Sequence, residues 1–460
     1  MGLTRKEVLA GAAAGALGVA GVYELVDRYG RPATRQTLSG GLAAERVPEQ
    51  HLLGGMRIVE DNGVEVVVPP LHHQVVTARL KSFGLDEQAE LERTLAGLES
   101  RYESSPAGLG ITVAWGLPYF RERVPGQARR HIPFDRRARK SALVDARRFP
   151  SDPDETVLEG NDVAVLLRSD SQDHVATGSK AIFDDLGVFE VTSIRKGFAG
   201  GGFEGKRSLP KQMAMAAGIP GAELIPETSE LFLGFTSTQR SGLGPAKIVN
   251  FETLGYADFR GSSYFRNGTH MHLSHIHEDL EAWYLNFDFR ERIDTTFRPH
   301  IDVADGTQTV RQGPEDVATL PGVRRDFKTS GRIGHSAAIQ TTSRLERDVV
   351  AEDGTVYEKG TAIPQRADFN TLDNPFFWSK DGVDETPAAG VHFVVFNPTS
   401  DDFHRNRLAM DGVMEDGTRL PFSPRARGQG FNAILRTTHR QNFLVPPRRH
   451  RSFPLAELRA

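Results

Sequence analysis

Apolar residues alternate in "QVVTARLKSF" and gather in three further short stretches of the first half: "LGITVAWG", "DVAVLLRS" and "VFEVTSIRKGF". Each reads as a β-strand. Between the first two, "DEQAELERTLAGLESRY" carries leucines at helical spacing and acids in its first turn. Between the last two, "DSQDHVATGSKAIFDD" predicts a second helix. The order is β-α-β, a basic insertion (120–155), then β-α-β, which is the split βαβ or ferredoxin-like unit. A comparable set follows later: strand "GTHMHLSHI", helix "EDLEAWYLNFDFRERI", strand "GVHFVVFN", helix "SDDFHRNRLAM" and a strand ending "NFLVPP". The pattern therefore predicts an α+β chain of duplicated ferredoxin-like units, at 71–225 and 226–450. The second unit holds a long insertion, 298–388, and loops of such length in a compact domain usually serve function.

Ahead of the first unit, residues 31–70 mix Gly, Pro and charge without a period and read as a linker. Residues 1–30 begin with Arg5 and Lys6 and continue into an Ala- and Gly-rich apolar run from Val8 to Tyr23. That run falls short of the roughly 20 residues a membrane span needs and fits a secretory segment. "TRKEVL" resembles a twin-arginine signal whose second arginine is lysine, and no A-x-A cleavage site follows. The expectation is an exported protein, with 1–30 as signal or anchor. Membrane association through this segment and self-association are both compatible with it.

Composition changes the picture only by exclusion. A net charge of -4 over 460 residues gives no electrostatic case for nucleic acid. Basic runs such as "RRHIPFDRRARK" are short and broken by apolar residues. Cysteine is absent, which removes disulfides, thiolate ligands and cysteine nucleophiles. "GGGFEGKRS" lacks the hydroxyl of a phosphate-binding loop, since Arg207 takes its place.

Four histidines crowd "GTHMHLSHIHEDLEAW", residues 268–283. On a strand, side chains alternate faces, so His270 and His272 share one side and His275 and His277 the other. A single four-histidine metal site is excluded without a bulge. A two-histidine site on either face would need a further ligand, and sheet-face packing is the simpler use.

This same segment resembles dye-decolourising peroxidases, in which a Gly-Thr strand runs into Asp-Leu-Glu-x-Trp. Gly268, Thr269, Ile276, Asp279, Leu280, Glu281 and Trp283 match. "VHFVVFNPTSDDFHRNRLA" and "NAILRTTHRQNFLVPP" are similar to the family's later strand–helix and terminal-strand segments, and "GITVAWGLPYF" to its early strand. The likeness runs from about residue 72 to 447. It implies a dimeric α/β-barrel-like pairing of the two units and haem b in the second. His335, in "SGRIGHSAAIQTTSR", takes the place of the iron ligand, with Arg344 and Phe396 also at the cofactor. Arg366 in "QRADFN" takes the place of the distal arginine, with Asp368 and Asn370 to tune it. The implied reaction reduces hydrogen peroxide and oxidises a small organic donor by single electrons. Trp115, Trp283, Trp378, Tyr264 and Tyr284 are available to relay electrons, or simply to pack.

One departure weighs on that expectation. The family's Gly-x-x-Asp-Gly acid falls in "LFLGFTSTQRSGLGP", where Gly234 and Phe235 remain but Ser237 and Thr238 replace Asp and Gly. Ser237 then occupies the acid's catalytic position, and a hydroxyl is no base near neutral pH. Two alternatives stay open: a non-catalytic haem- or ligand-binding protein of the same fold, and a haem-free histidine–metal protein.

Overall fold

The computed structural model describes residues 20–30 and 47–459, except 62–63, 200, 203–206, 236–256, 259–262, 301–317, 346, 351–355, 377, 380–381, 384–385, 422 and 427–430. After helix α1 (Ala20–Gly30) comes a hairpin of β1 (Arg57–Asp61) and β2 (Val64–Val68). The first repeat is β3 (His72–Leu80), α2 (Leu85–Arg101), β4 (Gly110–Gly116), β5 (Val163–Ser169), α3 (Gln172–Ser179) and β6 (Phe189–Phe198). The second is β7 (Thr269–Glu278), α4 (Leu280–Asn286), α5 (Phe289–Thr296), the insertion helices α6 (Leu320–Ser330) and α7 (His335–Gln340), β8 (Phe369–Thr371), β9 (Gly390–Asn397), α8 (Ser400–Met410) and β10 (Leu435–Val445). The expected strands and helices are present, with two adjustments. The helix expected after β7 divides, because Asp288 and Glu291 form a capping box that starts α5 afresh. Helix α3 continues into a π-helical turn, Lys180–Asp185.

Strand order within the first repeat is β6-β3-β5-β4, and within the second β10-β7-β9-β8. Both follow the same 4-1-3-2 ferredoxin-like sequence, so the duplication is real in three dimensions. The repeats join at both edges: β4 pairs with β10, and β6 meets β8 at Asn370 and Phe198. Eight strands thus close into a barrel, which leaves no long unpaired edge.

Alternation then sorts side chains by face. Val75, Ala164, Leu166, Met271, Leu273, Val394 and Phe396 fill the lumen. Val76, Val113, Trp115, Val165 and Leu167 point outward, onto the Leu91, Leu95 and Leu98 stripe of α2. The chain's last turn returns to this first core, with Phe453 and Leu455 fully buried. A second outer core gathers Phe198, Leu209, Leu280, Trp283 and Phe431.

The segment read as a linker is more than one. Gln50 is buried, donating to the Val113 and Pro446 carbonyls and accepting from Val113 N–H, while His51 packs on Phe396 at 4.9 Å. Such tertiary plugs leave no periodic trace in sequence. Likewise α1 docks on the body: Tyr23 is 3% exposed and Val26 fully buried. The Tyr23 hydroxyl donates to the Lys196 carbonyl and accepts from the Leu372 amide, and Asp27 lies 2.8 Å from His72 Nε2. No described helix is long and apolar enough to cross a membrane, and Val8–Val19 lie outside the described residues. Tyr23→Ala is expected to cost about 2–4 kcal/mol, since it opens a cavity and strands the Leu372 amide, while the Lys196 carbonyl keeps its bond from Thr371 Oγ1. Urea unfolding at pH 7 would measure it.

Candidate functional site

A cavity of about 250 Å³ lies on the outer face of the second repeat, between its sheet and helices α7 and α8. That lies just below the range of organic-ligand sites, roughly 300–1,000 Å³. The sheet contributes outward positions of three strands: Ser274, Ile276 and Glu278 from β7, Val391, Phe393 and Val395 from β9, and Leu435, Thr437 and Arg440 from β10. The 365–371 segment adds Arg366, Asp368 and Asn370. Helix α7 supplies His335, Ser336, Ile339 and Gln340, and α8 supplies Phe403, Asn406, Arg407 and Met410. Leu231, Leu233, Phe235, Arg344 and Phe431 are among the other lining residues.

His335 is the first residue of α7, and its position is fixed from both sides. A Cβ on Gly334 would collide with the Phe297 carbonyl, which itself accepts from Ala337 N–H at 3.0 Å. Only glycine lets α7 approach the end of α5 so closely. Phe431 meets the imidazole edge-on at 4.8 Å. His335 Nδ1 is buried without a hydrogen-bond partner. Burial first, then the Arg366 and Arg407 guanidiniums, hold its pKa down at about 3. The ring is therefore a neutral nitrogen base across the physiological range.

Arg366 comes from the sheet side, where it pairs in register with Val395 and lies 3.4 Å from Asp368. Arg344, 9% exposed, is drawn down to a pKa of about 10 by burial and donates to the Gly360 carbonyl at 3.3 Å. The insertion thus brings His335, Arg344, Arg366 and Asp368 to one cavity. Phe396 is not brought there. It points into the barrel lumen, because it is one residue out of phase with Val395, and Phe393 and Val395 hold the cavity side. Ser237 lies outside the described residues.

The histidines of β7 divide as alternation requires. His272 stacks on Phe403 of α8 at 3.3 Å and lies 2.6 Å from both Asn442 and Ser274. His275 faces the lumen, beside His392 at 5.0 Å. Among the described residues no group of three His, Cys, Asp or Glu is arranged to hold a metal ion.

Sequence reasoning missed four cavity groups. Arg440 and Arg407 form the wall through Asp152 and Asp411: Arg440 Nη2 lies 2.7 Å from Asp152 and Arg407 Nη1 2.8 Å from Asp411. Asp152 comes from the basic insertion, which no periodicity links to α8. Phe431 precedes β10 and has no motif. Glu278 was legible in principle, because it shares the outward register of Ser274 and Ile276 at the end of β7.

Fold and site together define a closed barrel of two ferredoxin-like halves, with a histidine- and arginine-lined cavity on the outer face of the second. The chain belongs to a family described as a family of unknown function, DUF7405, whose model matches residues 70–447. No curated protein matches it. Among solved structures it is similar to a DypB variant of Rhodococcus jostii in complex with heme, at 14% identity over 84% of this chain and 96% of that one, with a TM-score of 0.48. It is similar also to the encapsulated DyP-type peroxidase of Mycobacterium smegmatis (12% identity, 84% and 95% covered, TM-score 0.48). A dye-decolorizing protein from V. cholerae matches at 13% identity, 84% and 97% coverage and a TM-score of 0.44.

Proposed function

We propose that this chain is a haem b protein that reduces hydrogen peroxide while a small organic donor gives up single electrons. The observation carrying the reading is His335: a buried, neutral imidazole with an unpartnered nitrogen on the helix-side wall of an otherwise largely apolar cavity. A nitrogen kept free of hydrogen bonds inside a protein is costly unless something binds there. The donor set fits haem. Phe393, Val395, Ile339 and Phe431 offer apolar surface for the macrocycle, and Arg344 offers a cation for its carboxylates. When bound, haem would supply the redox chemistry of peroxide reduction.

The chain's own residues have definable tasks. His335 holds the iron. Arg366, on the sheet side, stabilises negative charge that develops on peroxide oxygen, and Asp368 orients its guanidinium. Ile276, Val391 and Phe393 exclude water between them. The Arg5–Lys6 start and the apolar run after it support export in folded form, which fractionation of the native host would test.

Reconstitution with haem tests the proposal. Wild type is expected to gain a Soret band at one haem per chain, and His335→Ala to lose it or weaken binding at least tenfold. A wild type that stays colourless, or a variant that binds equally, overturns it. A second reading, a haem carrier without turnover, is favoured by serine at position 237. It predicts the Soret band with negligible oxidation of dye by peroxide.

A further inference from the structure

The cavity contains a carboxyl group that no structural role uses. Glu278 ends β7, is 8% exposed and lines the cavity, and its Oε2 is buried without a hydrogen-bond partner. Other carboxylates around the wall are engaged: Asp152 holds Arg440 and Asp411 holds Arg407. A carboxyl left unpaired at such depth is retained at a cost.

The groups facing it come from several elements. Asp368 approaches from the 365–371 segment and Tyr284 from α4, while Arg366 and His335 line the same cavity. β9 and β10 present Val391, Leu435 and Thr437, which carry no charge. Burial, and after it the neighbouring Asp368, raise the Glu278 pKa to about 8. The side chain is therefore a neutral carboxylic acid at pH 7, a form able to donate a proton. Ser237, in the place where an acid was expected, has no such capacity.

We infer that Glu278 is the proton donor of this cavity, delivering its proton to the departing oxygen of bound hydrogen peroxide as the O–O bond breaks. The inference rests on the peroxide-reducing reading above. Two donor molecules each supply one electron and one proton. The O–O bond takes the two electrons and breaks, and the Glu278 proton completes a first water. The two donor protons then restore the carboxylic acid and convert the remaining hydroxide equivalent to a second water. The sum is one peroxide, two electrons and two protons in, and two waters out.

The test uses haem-loaded wild type, Glu278→Gln and Glu278→Asp. All three are expected to keep the Soret band, because Glu278 is not the iron ligand. The peroxide reaction of Glu278→Gln should fall by about 100-fold or more, within the usual range for a general acid. In wild type the rate should decline above about pH 8, and this limb should vanish in Glu278→Gln. Glu278→Asp should recover part of the rate. Independently of turnover, difference infrared spectra of wild type should show a protonated carboxylic acid that is absent from Glu278→Gln and fades above about pH 8. A Glu278→Gln variant with unchanged rate and pH profile, or an infrared spectrum without that band, overturns the inference alone. A wild type without a Soret band overturns the haem reading beneath it.

Discussion

Acidification from pH 7 to pH 4 is expected to unfold the haem-free protein cooperatively, with uptake of several protons. Besides His335, seven imidazoles, His73, His270, His272, His275, His392, His404 and His439, have pKa values lowered chiefly by burial, His270 and His439 to about 4 and His404 to about 3. Several face the barrel lumen, among them His73 stacked on Phe369 at 5.0 Å and His275 beside His392. For a base with a lowered folded-state pKa, the unfolded chain binds protons first. Between about pH 6.5 and 4 the unfolded state holds more protons, so stability falls as pH falls. Each such proton is worth about 1.4 kcal/mol per pH unit. Seven in concert reach on the order of 5–10 kcal/mol per unit, comparable to the whole stability of a domain. Four carboxyls act in the opposite direction, Glu278 raised to about 8, Asp373 to about 7, and Asp162 and Asp294 raised by burial, but the seven imidazoles outnumber them. Circular dichroism and potentiometric proton uptake along the titration measure this. A fold intact at pH 4 with fewer than two protons taken up would show that the imidazoles are far more hydrated than their packing implies.

Asp152→Ala is expected to destabilise the protein by about 3–5 kcal/mol and to disorder the cavity wall. Arg440 is 1% exposed, and its guanidinium rests 2.7 Å from Asp152 and 4.8 Å above the Phe149 ring. Asp152 also accepts from Phe149 N–H at 2.7 Å. Removing the carboxylate leaves a buried cation and a buried amide unpaired, which costs far more than the ion pair contributes net. Replacing both partners, Asp152→Leu with Arg440→Met, should recover most of the loss, because no charge then remains to be solvated. Urea unfolding of the two single variants and the double variant gives the coupling directly. If Asp152→Ala costs under 1 kcal/mol, water reaches Arg440 and the wall is open.

Much of this molecule is written in its periodicities. The apolar runs in "QVVTARLKSF" and "DVAVLLRS" make strands buried on both faces, one toward the lumen and one toward the helices, and Leu91, Leu95 and Leu98 make a helix because one stripe must face that sheet. The β-α-β order repeated twice gives the two ferredoxin-like units, and strand alternation places His272 and His275 on opposite faces before any coordinates are seen. His335, Arg344, Arg366 and Asp368 are singled out by the resemblance of their segments to a known family rather than by any period. Those are local or repeating signals, and the chain carries them without reference to distant residues.

The tertiary structure decided what depends on closure and on long-range partners. Barrel closure through β4–β10 and β6–β8 turned one sheet face into a lumen, and so sent Phe396 inward while Phe393 kept the cavity side. Closure also drew in Gln50 and His51, whose short segment carries no period that marks it as part of the body. Glu278 became distinctive for the same reason. Its burial is set by elements before and after it in the chain, and Asp368 lies 90 residues downstream, so no local pattern encodes the dielectric around this carboxyl group.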